Sequence, residues 1–283
     1  MGLLMLLHVL LVAAAARAPA AQAWGKEGHY MTCKIADGFL TSEALTGVKA
    51  LLPSWANGEL AEVCSWADSQ RFRYRWSSPL HFADTPGDCE FSYARDCHDT
   101  KGNKNVCVVG AINNYTAALQ DSSSPFDPTE SLMFLAHFVG DVHQPLHCGH
   151  VDDLGGNTIK LRWYKRKSNL HKVWDSDVIT EAMKDFFDKD QDAMIESIQR
   201  NITEDWSSEE KQWENDRMLQ VRPGERVAGM RRVRGRRAGR HPRRRVLLQG
   251  ATGGSEEARP GRREAGGDPQ PDLQRERQAA EHL

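Results

Sequence analysis

The chain has 283 residues, and its 37 Lys and Arg against 39 Asp and Glu give a net charge of −2. That balance hides two opposed segments: residues 1–216 carry 20 Lys and Arg against 31 acids, and residues 217–283 carry 17 Arg against 8 acids. Beyond the first apolar run no segment approaches the roughly 20 apolar residues of a spanning helix, which excludes a membrane-spanning protein.

In chain order, Leu3–Ala16 is an apolar run broken only by His8, followed by Ala21-Gln22-Ala23. This is the pattern of a secretory signal peptide covering residues 1–23, so the mature chain is expected to begin at Trp24 in the secretory pathway. Thr41–Leu52 is the first predicted helix: Thr41 or Ser42 can cap it, and Leu45, Val48 and Leu52 recur at helical spacing. Val106–Leu119 puts Val109, Ile112 and Leu119 on one side. Asp127-Pro128-Thr129-Glu130 is a helix start, followed by Leu132, Leu135, Ala136 and Val139. After Gly155-Gly156, Thr158–Tyr164 predicts a short hairpin arm, and Asp175–Phe187 and Gln191–Ile202 predict two further helices. Residues 24–216 therefore read as one mainly α domain.

The remaining 67 residues, 217–283, hold 10 Gly and 5 Pro but no Lys, Phe, Trp, Tyr, Ile, Asn or Cys. The composition suits GC-rich codons read in a shifted frame, with the shift near Asn215–Met218, and it predicts a segment without fixed structure. The competing reading is an Arg-rich arm that binds nucleic acid.

All six cysteines (Cys33, Cys64, Cys89, Cys97, Cys107 and Cys148) lie in the acidic domain. After a signal peptide disulfides are expected, and the 15 possible connectivities stay open at this point. Asn114 and Asn201 head glycosylation sequons, which would place both segments on the surface.

Chemistry is carried by His and Asp. His137 and Asp141 stand at i and i+4 of one predicted helix, so both face one side. His147 follows Pro145, where the helix must end. His171 and Asp175 repeat the spacing, and Asp68 and His81 add an upstream pair. Imidazoles and carboxylates without a clear thiolate suit zinc with open coordination positions. A single such pair is more often a surface hydrogen bond; two of them inside apolar helices raise the case for metal. His143 reads as structural or outer-sphere, His98 and His150 as solvated loop residues, and Asp152 and Asp153 as surface charge.

The string Leu135-Ala-His137-Phe-Val-Gly-Asp141-Val-His-Gln-Pro-Leu-His147 resembles the signature of secreted zinc-dependent nucleases of the fungal S-one/P-one type and their plant bifunctional relatives. Trp24-Gly-x-x-Gly-His29, Trp66-Ala-Asp68, Pro79-Leu-His81-Phe, Gly155-Gly-Asn157 and Asn169-Leu-His171-x-x-Trp174-Asp175 match in order and interval. The resemblance implies a helical fold of the phospholipase C and P-one nuclease kind, with three zinc ions in a cleft. One ion would be held by Asp68, His81, His137 and Asp141. A second would be held by His147, His171 and Asp175. The third would use His29, Asp141 and both the amine and the carbonyl oxygen of Trp24. The implied reaction is hydrolysis of single-stranded DNA and RNA to 5′-phosphate products, with Arg71 at the scissile phosphate. Phe82 would stack a base, Asp84 would contact its edge and Asn157 would line the cleft. The resemblance also implies the pairs Cys33–Cys64 and Cys97–Cys107. The protein is expected to act as a monomer, outside the cell or in the vacuole. A zinc phospholipase C is the alternative enzyme of this shape; the His147 string and Phe82 favour the nuclease.

Overall fold

The computed structural model describes residues 24–87 and 90–207 and the backbone of a two-residue strand at 226–227. The expected leader 1–23, Cys89 and most of the tail 217–283 lie outside the described residues.

Helices build the structure, as expected. They are α1 (Lys26–Asp37), α2 (Ser42–Leu51), α3 (Leu60–Val63), α4 (Trp66–Ser69), α5 (Tyr93–Asp96), α6 (Val108–Gln120), α7 (Pro128–Val142), α8 (Leu170–Lys172), α9 (Val178–Phe186) and α10 (Gln191–Glu204). Tight 3-10 turns at Arg75–His81 and Pro145–Cys148 carry two of the candidate ligands. Strands are short: β1 (Phe91–Ser92), β2 (Lys160–Trp163), β3 (Arg166–Asn169) and β4 (Arg226–Val227). β2 and β3 form the expected arm, with Lys160 opposite Asn169 and Arg162 opposite Lys167. β4, inside the segment expected to lack fixed structure, pairs antiparallel with β1. No helix among the described residues is long and apolar enough to cross a membrane.

The central element is α7. Asp127 caps it, its Oδ1 accepting from the Glu130 amide at 2.8 Å, and Pro128 opens its first turn, where a missing N–H costs nothing. Phe134 and Phe138 are fully buried on its side facing α6, where Phe134 stacks on Tyr115 at 5.2 Å and on Phe138 at 5.6 Å. Burying each ring stabilises the fold by roughly 1.5–3 kcal/mol. A second cluster of Cys33, Ala61, Val63, Cys64, Leu132 and Met133 ties α1 and α3 to the same helix. Cys33–Cys64 and Cys97–Cys107 are bonded, so the pairs implied by resemblance form. α7 is thereby held from two sides while its C-terminal half faces the candidate site.

Two expectations need correction. The helix expected over Asp175–Phe187 does not begin at Asp175: residues Val173–Asp177 form a π-turn, and regular helix starts at Val178. Such a wide turn re-aims side chains and is frequent at functional sites. Asn201, expected at the surface, is only 4% exposed on α10, with its amide nitrogen buried, because this helix turns it inward beside Met194 and Ile195. Asn114, by contrast, is exposed on α6.

Candidate metal centre

Eight side chains from distant parts of the chain converge beside the C-terminal half of α7. Three groups, the first two sharing His137, each bring their candidate ligand atoms within 4.8 Å of one another: His29, His137 and Asp141; Asp68, His81 and His137; and His147, His171 and Asp175. Asp141 is the hub. Its Oδ1 lies 3.3 Å from His29 Nε2 and 3.8 Å from His147 Nδ1, and its Oδ2 lies 2.9 Å from His81 Nδ1 and 3.3 Å from His137 Nε2. Asp68 Oδ1 closes the first face at 3.7 Å from His137 Nε2 and 3.9 Å from His81 Nδ1. His171 Nε2 and Asp175 Oδ2 are 3.2 Å apart.

Backbone carbonyls set the tautomers. His137 Nδ1 sits 2.7 Å from Cys64 O, His147 Nδ1 2.6 Å from His81 O, and His171 Nδ1 2.7 Å from Gly155 O. A proton on each Nδ1, donated to its carbonyl, leaves Nε2 as the lone-pair donor, which is the usual second-sphere arrangement of metal-ligating histidine. His29 has no such support: both of its ring nitrogens, and His81 Nε2, are buried without a hydrogen bond. Buried polar atoms are rarely left unsatisfied, so these point to a missing cation. The His29 ring stacks on His137 at 3.9 Å, and it fits only because residue 140 is glycine: a Cβ there would lie 2.7 Å from His29 Nδ1.

Electrostatics agree with a cation site. Burial and His137 push His29 down to about 4, and burial lowers His81 to about 4, so both are neutral ligands at pH 7. Burial opposes ionisation of Asp141, but His137 and the hydrogen-bonding imidazoles around it hold its carboxyl well below the usual range. Burial, together with Asp141 and Asp68, pushes Asp175 up to about 9. A divalent ion would offset that repulsion and hold it ionised. Among the described residues thiolates do not compete. Four cysteines are in disulfides, and burial, Asp141 and Asp84 push the Cys148 thiol up to about 12. Imidazole and carboxylate donors around buried open positions fit zinc.

The supporting residues include several that spacing did not reveal. Gln144 is fully buried just past α7; its Nε2 donates to Asp175 Oδ1, and its Oε1 accepts from the Leu146 amide at 2.5 Å. Gly155, at φ +60°, passes so close to Leu146 that a Cβ would meet its carbonyl oxygen at 2.3 Å. Asp153, read as surface charge, instead anchors this turn by accepting from the Gly156 amide at 2.7 Å. His150, read as solvated, is half-buried with its Nε2 enclosed. His143 is exposed and bonds Val139 O, away from the cluster, and His98 is exposed as expected.

The expected substrate residues surround the cluster. Arg71 Nη2 is 3.0 Å from Asp68 Oδ1. Residues 82–85 run extended beside 147–151, with the Ala83 amide donating to His147 O at 2.7 Å and the Thr85 amide to Gly149 O at 2.8 Å. Ala83 and Thr85 are buried, so Phe82 and Asp84 share the opposite, half-exposed face. Burial and the Asp153 charge push Asp84 up to about 6. Asn157 closes the glycine turn, its Nδ2 donating to Leu154 O at 2.9 Å. Trp24 packs against Gly28, and the amide of its neighbour Gly25 donates to Asp175 O at 2.7 Å, which brings the start of the described chain to the second ligand group.

Comparison with known proteins gives a consistent picture. The sequence profile described as S1/P1 Nuclease matches residues 24–228. The chain is similar to Endonuclease 4 of Arabidopsis thaliana, at 50% identity over 207 residues that cover 70% of this chain and 69% of that relative. It is similar to Endonuclease 2 of the same plant at 45% over 219 residues, 75% and 76% of the two chains. Nuclease P1 of Penicillium citrinum is 33% identical over 186 residues, 63% and 67% of the two chains.

Proposed function

Because the chain belongs to the S1/P1 nuclease family, we propose that it is a zinc-dependent endonuclease that cleaves single-stranded DNA and RNA at the His/Asp cluster. One observation carries the reading: eight His and Asp side chains gather in three groups that could each hold a metal ion, and the buried ring nitrogens of His29 and Nε2 of His81 make no hydrogen bond. The groups fit three ions, with Asp68, His81, His137 and Asp141 on one, His147, His171 and Asp175 on another, and His29, Asp141 and the main chain of Trp24 on the third. Zinc bound there supplies a water acidified toward neutrality and positive charge for the phosphate oxygens.

The chain's own residues do the rest. Asp141 and Asp68 fix the relative positions of the imidazoles, and the Cys64, His81 and Gly155 carbonyls hold three of those rings by Nδ1. Gln144 orients Asp175. Arg71, beside Asp68, offers its guanidinium to a phosphate oxygen as charge builds there. Phe82 offers a face for one unpaired base and Asp84 an acceptor for its edge; one stacked ring tolerates any base, so sequence preference is weak. Asn157 lines the far side. The family and the two disulfides support a place in the secretory pathway, and we take the final destination to be extracellular or vacuolar.

The test uses the leader-free protein and a single-stranded DNA substrate. A chelator is expected to abolish cleavage, and zinc is expected to restore it with about three ions per chain. Recovery with magnesium and not with zinc would overturn the assignment.

A further inference from the structure

Directly after Asp68 and Gln70, the sequence alternates arginine with aromatic rings: Arg71-Phe72-Arg73-Tyr74-Arg75-Trp76. Two of the rings are structural. Tyr74 donates its hydroxyl to Glu130 and packs edge-on to Phe134 at 5.5 Å, and Trp76 leans on both. Phe72 is different. It is 89% exposed, more than any other large hydrophobic residue among those described. A single exposed ring is ordinary on a protein surface; what sets this one apart is its place beside exposed arginines.

A turn holds it there. The amides of Arg73 and Tyr74 both donate to Gln70 O at 2.9 Å, which sends Arg71 inward to Asp68 and leaves Phe72 outside. Arg73 and Arg75 are exposed beside it, and neither makes an ion pair among the described residues. The Arg73 guanidinium lies over the Tyr74 ring at 5.4 Å. In a domain rich in carboxylates, two guanidinium groups left without a carboxylate next to an exposed ring form a surface suited to an anion that also carries flat apolar faces. A single nucleic-acid strand has that chemistry: phosphates spaced along a backbone and unpaired bases able to stack.

We propose that Phe72, Arg73 and Arg75 form a ledge outside the metal cluster that holds the substrate strand beyond the scissile phosphate, Phe72 stacking on one unpaired base and the two arginines binding neighbouring phosphates. The proposal rests on the nuclease reading and extends it: Arg71 links ledge to cluster, and a duplex, whose bases are covered on both faces, gains nothing from Phe72. Part of the preference for single strands then resides at a position apart from Phe82.

The experiment is fluorescence anisotropy with the zinc-loaded, leader-free protein. The probe is a labelled single strand joined by hydrolysis-resistant phosphorodithioate linkages. Phe72→Ala is expected to weaken binding about tenfold. Phe72→Trp should retain it, and Arg73→Ala with Arg75→Ala should weaken it and flatten its salt dependence. Trp55→Ala removes another exposed ring, remote in sequence, and should bind as the wild type does. A duplex of the same length should not distinguish Phe72→Ala from wild type. Equal binding by wild type and Phe72→Ala, an equal loss in Trp55→Ala, or no binding by wild type overturns the ledge. Wild-type cleavage of a dinucleotide is measured alongside: a ledge that binds strands in a protein that cleaves nothing would sink the nuclease reading and leave the ledge standing.

Discussion

A methyl group added at Gly140 would meet His29 Nδ1 at 2.7 Å, and His29 is enclosed on its other face by the His137 ring. On an isolated helix Gly→Ala would be favourable by about 1 kcal/mol. Here Gly140→Ala is expected to displace His29, remove about one zinc per chain and lower kcat/KM about 100-fold, as measured by metal analysis and steady-state kinetics. Asp84 is the residue whose protonation reports its surroundings. Its folded pKa is raised to about 6 by burial and Asp153, above the ordinary carboxylate value, so ionising it costs more in the folded than in the unfolded chain. Its stabilising influence is therefore greatest at low pH and is lost as pH rises from about 4 to about 6. Asp84→Asn should raise the melting temperature relative to wild type at pH 7 but not at pH 4, and should weaken base discrimination in oligonucleotide cleavage. The residues that gather in the cluster were legible in sequence as candidates because i, i+4 spacing and a shared motif mark them. Gly140 and Gln144 sit inside the same motif, but their roles come from contacts with His29 and Asp175 that no local spacing encodes.

At the scale of elements, α7 joins the core to the His/Asp cluster, since Phe134 and Phe138 pack on α6 while His137 and Asp141 belong to the candidate ligand groups. Asp127→Ala removes the cap that starts this helix and is expected to cost about 1 kcal/mol in urea denaturation. The sequence signal for this helix was its cap and its proline, and its bounds followed. Its buried stripe was less legible: of the apolar series Leu132 is buried but Leu135, Ala136 and Val139 are only half-buried, and the deepest apolar residues are the two phenylalanines. A helix with apolar residues on more than one side offers several stripes, and contact with α6 selects among them. The same limit applies to Val173–Asp177. Periodicity predicts ordinary helix from Asp175, whereas packing of the π-turn around His171 and Asp175 imposes a wider one. α1, which carries His29, has a weak apolar pattern and is recognisable as a helix only once it packs against α3 and α10.

At the scale of the whole molecule, candidate ligands from residue 29 to residue 175 gather in one region, and Trp24 stands near its edge. If the Trp24 amine and carbonyl chelate an ion, the amine must be free. A protein that retains Ala23 ahead of Trp24 is expected to bind about one zinc fewer and to lose most of its activity; equal zinc content and equal rates in both forms would refute the Trp24 assignment. The sequence by itself determined the helical class and the family, and gave the secretory leader and the candidate ligand set as expectations, because capping, periodicity and motif spacing are local and survive reading one residue at a time. Tertiary structure alone decided that Gly140 makes room for His29, that Asn201 turns inward and that Phe72 is left in solvent. Those outcomes depend on which surfaces remain uncovered after helices distant in sequence have packed, and that sum over the fold is not carried by any single segment.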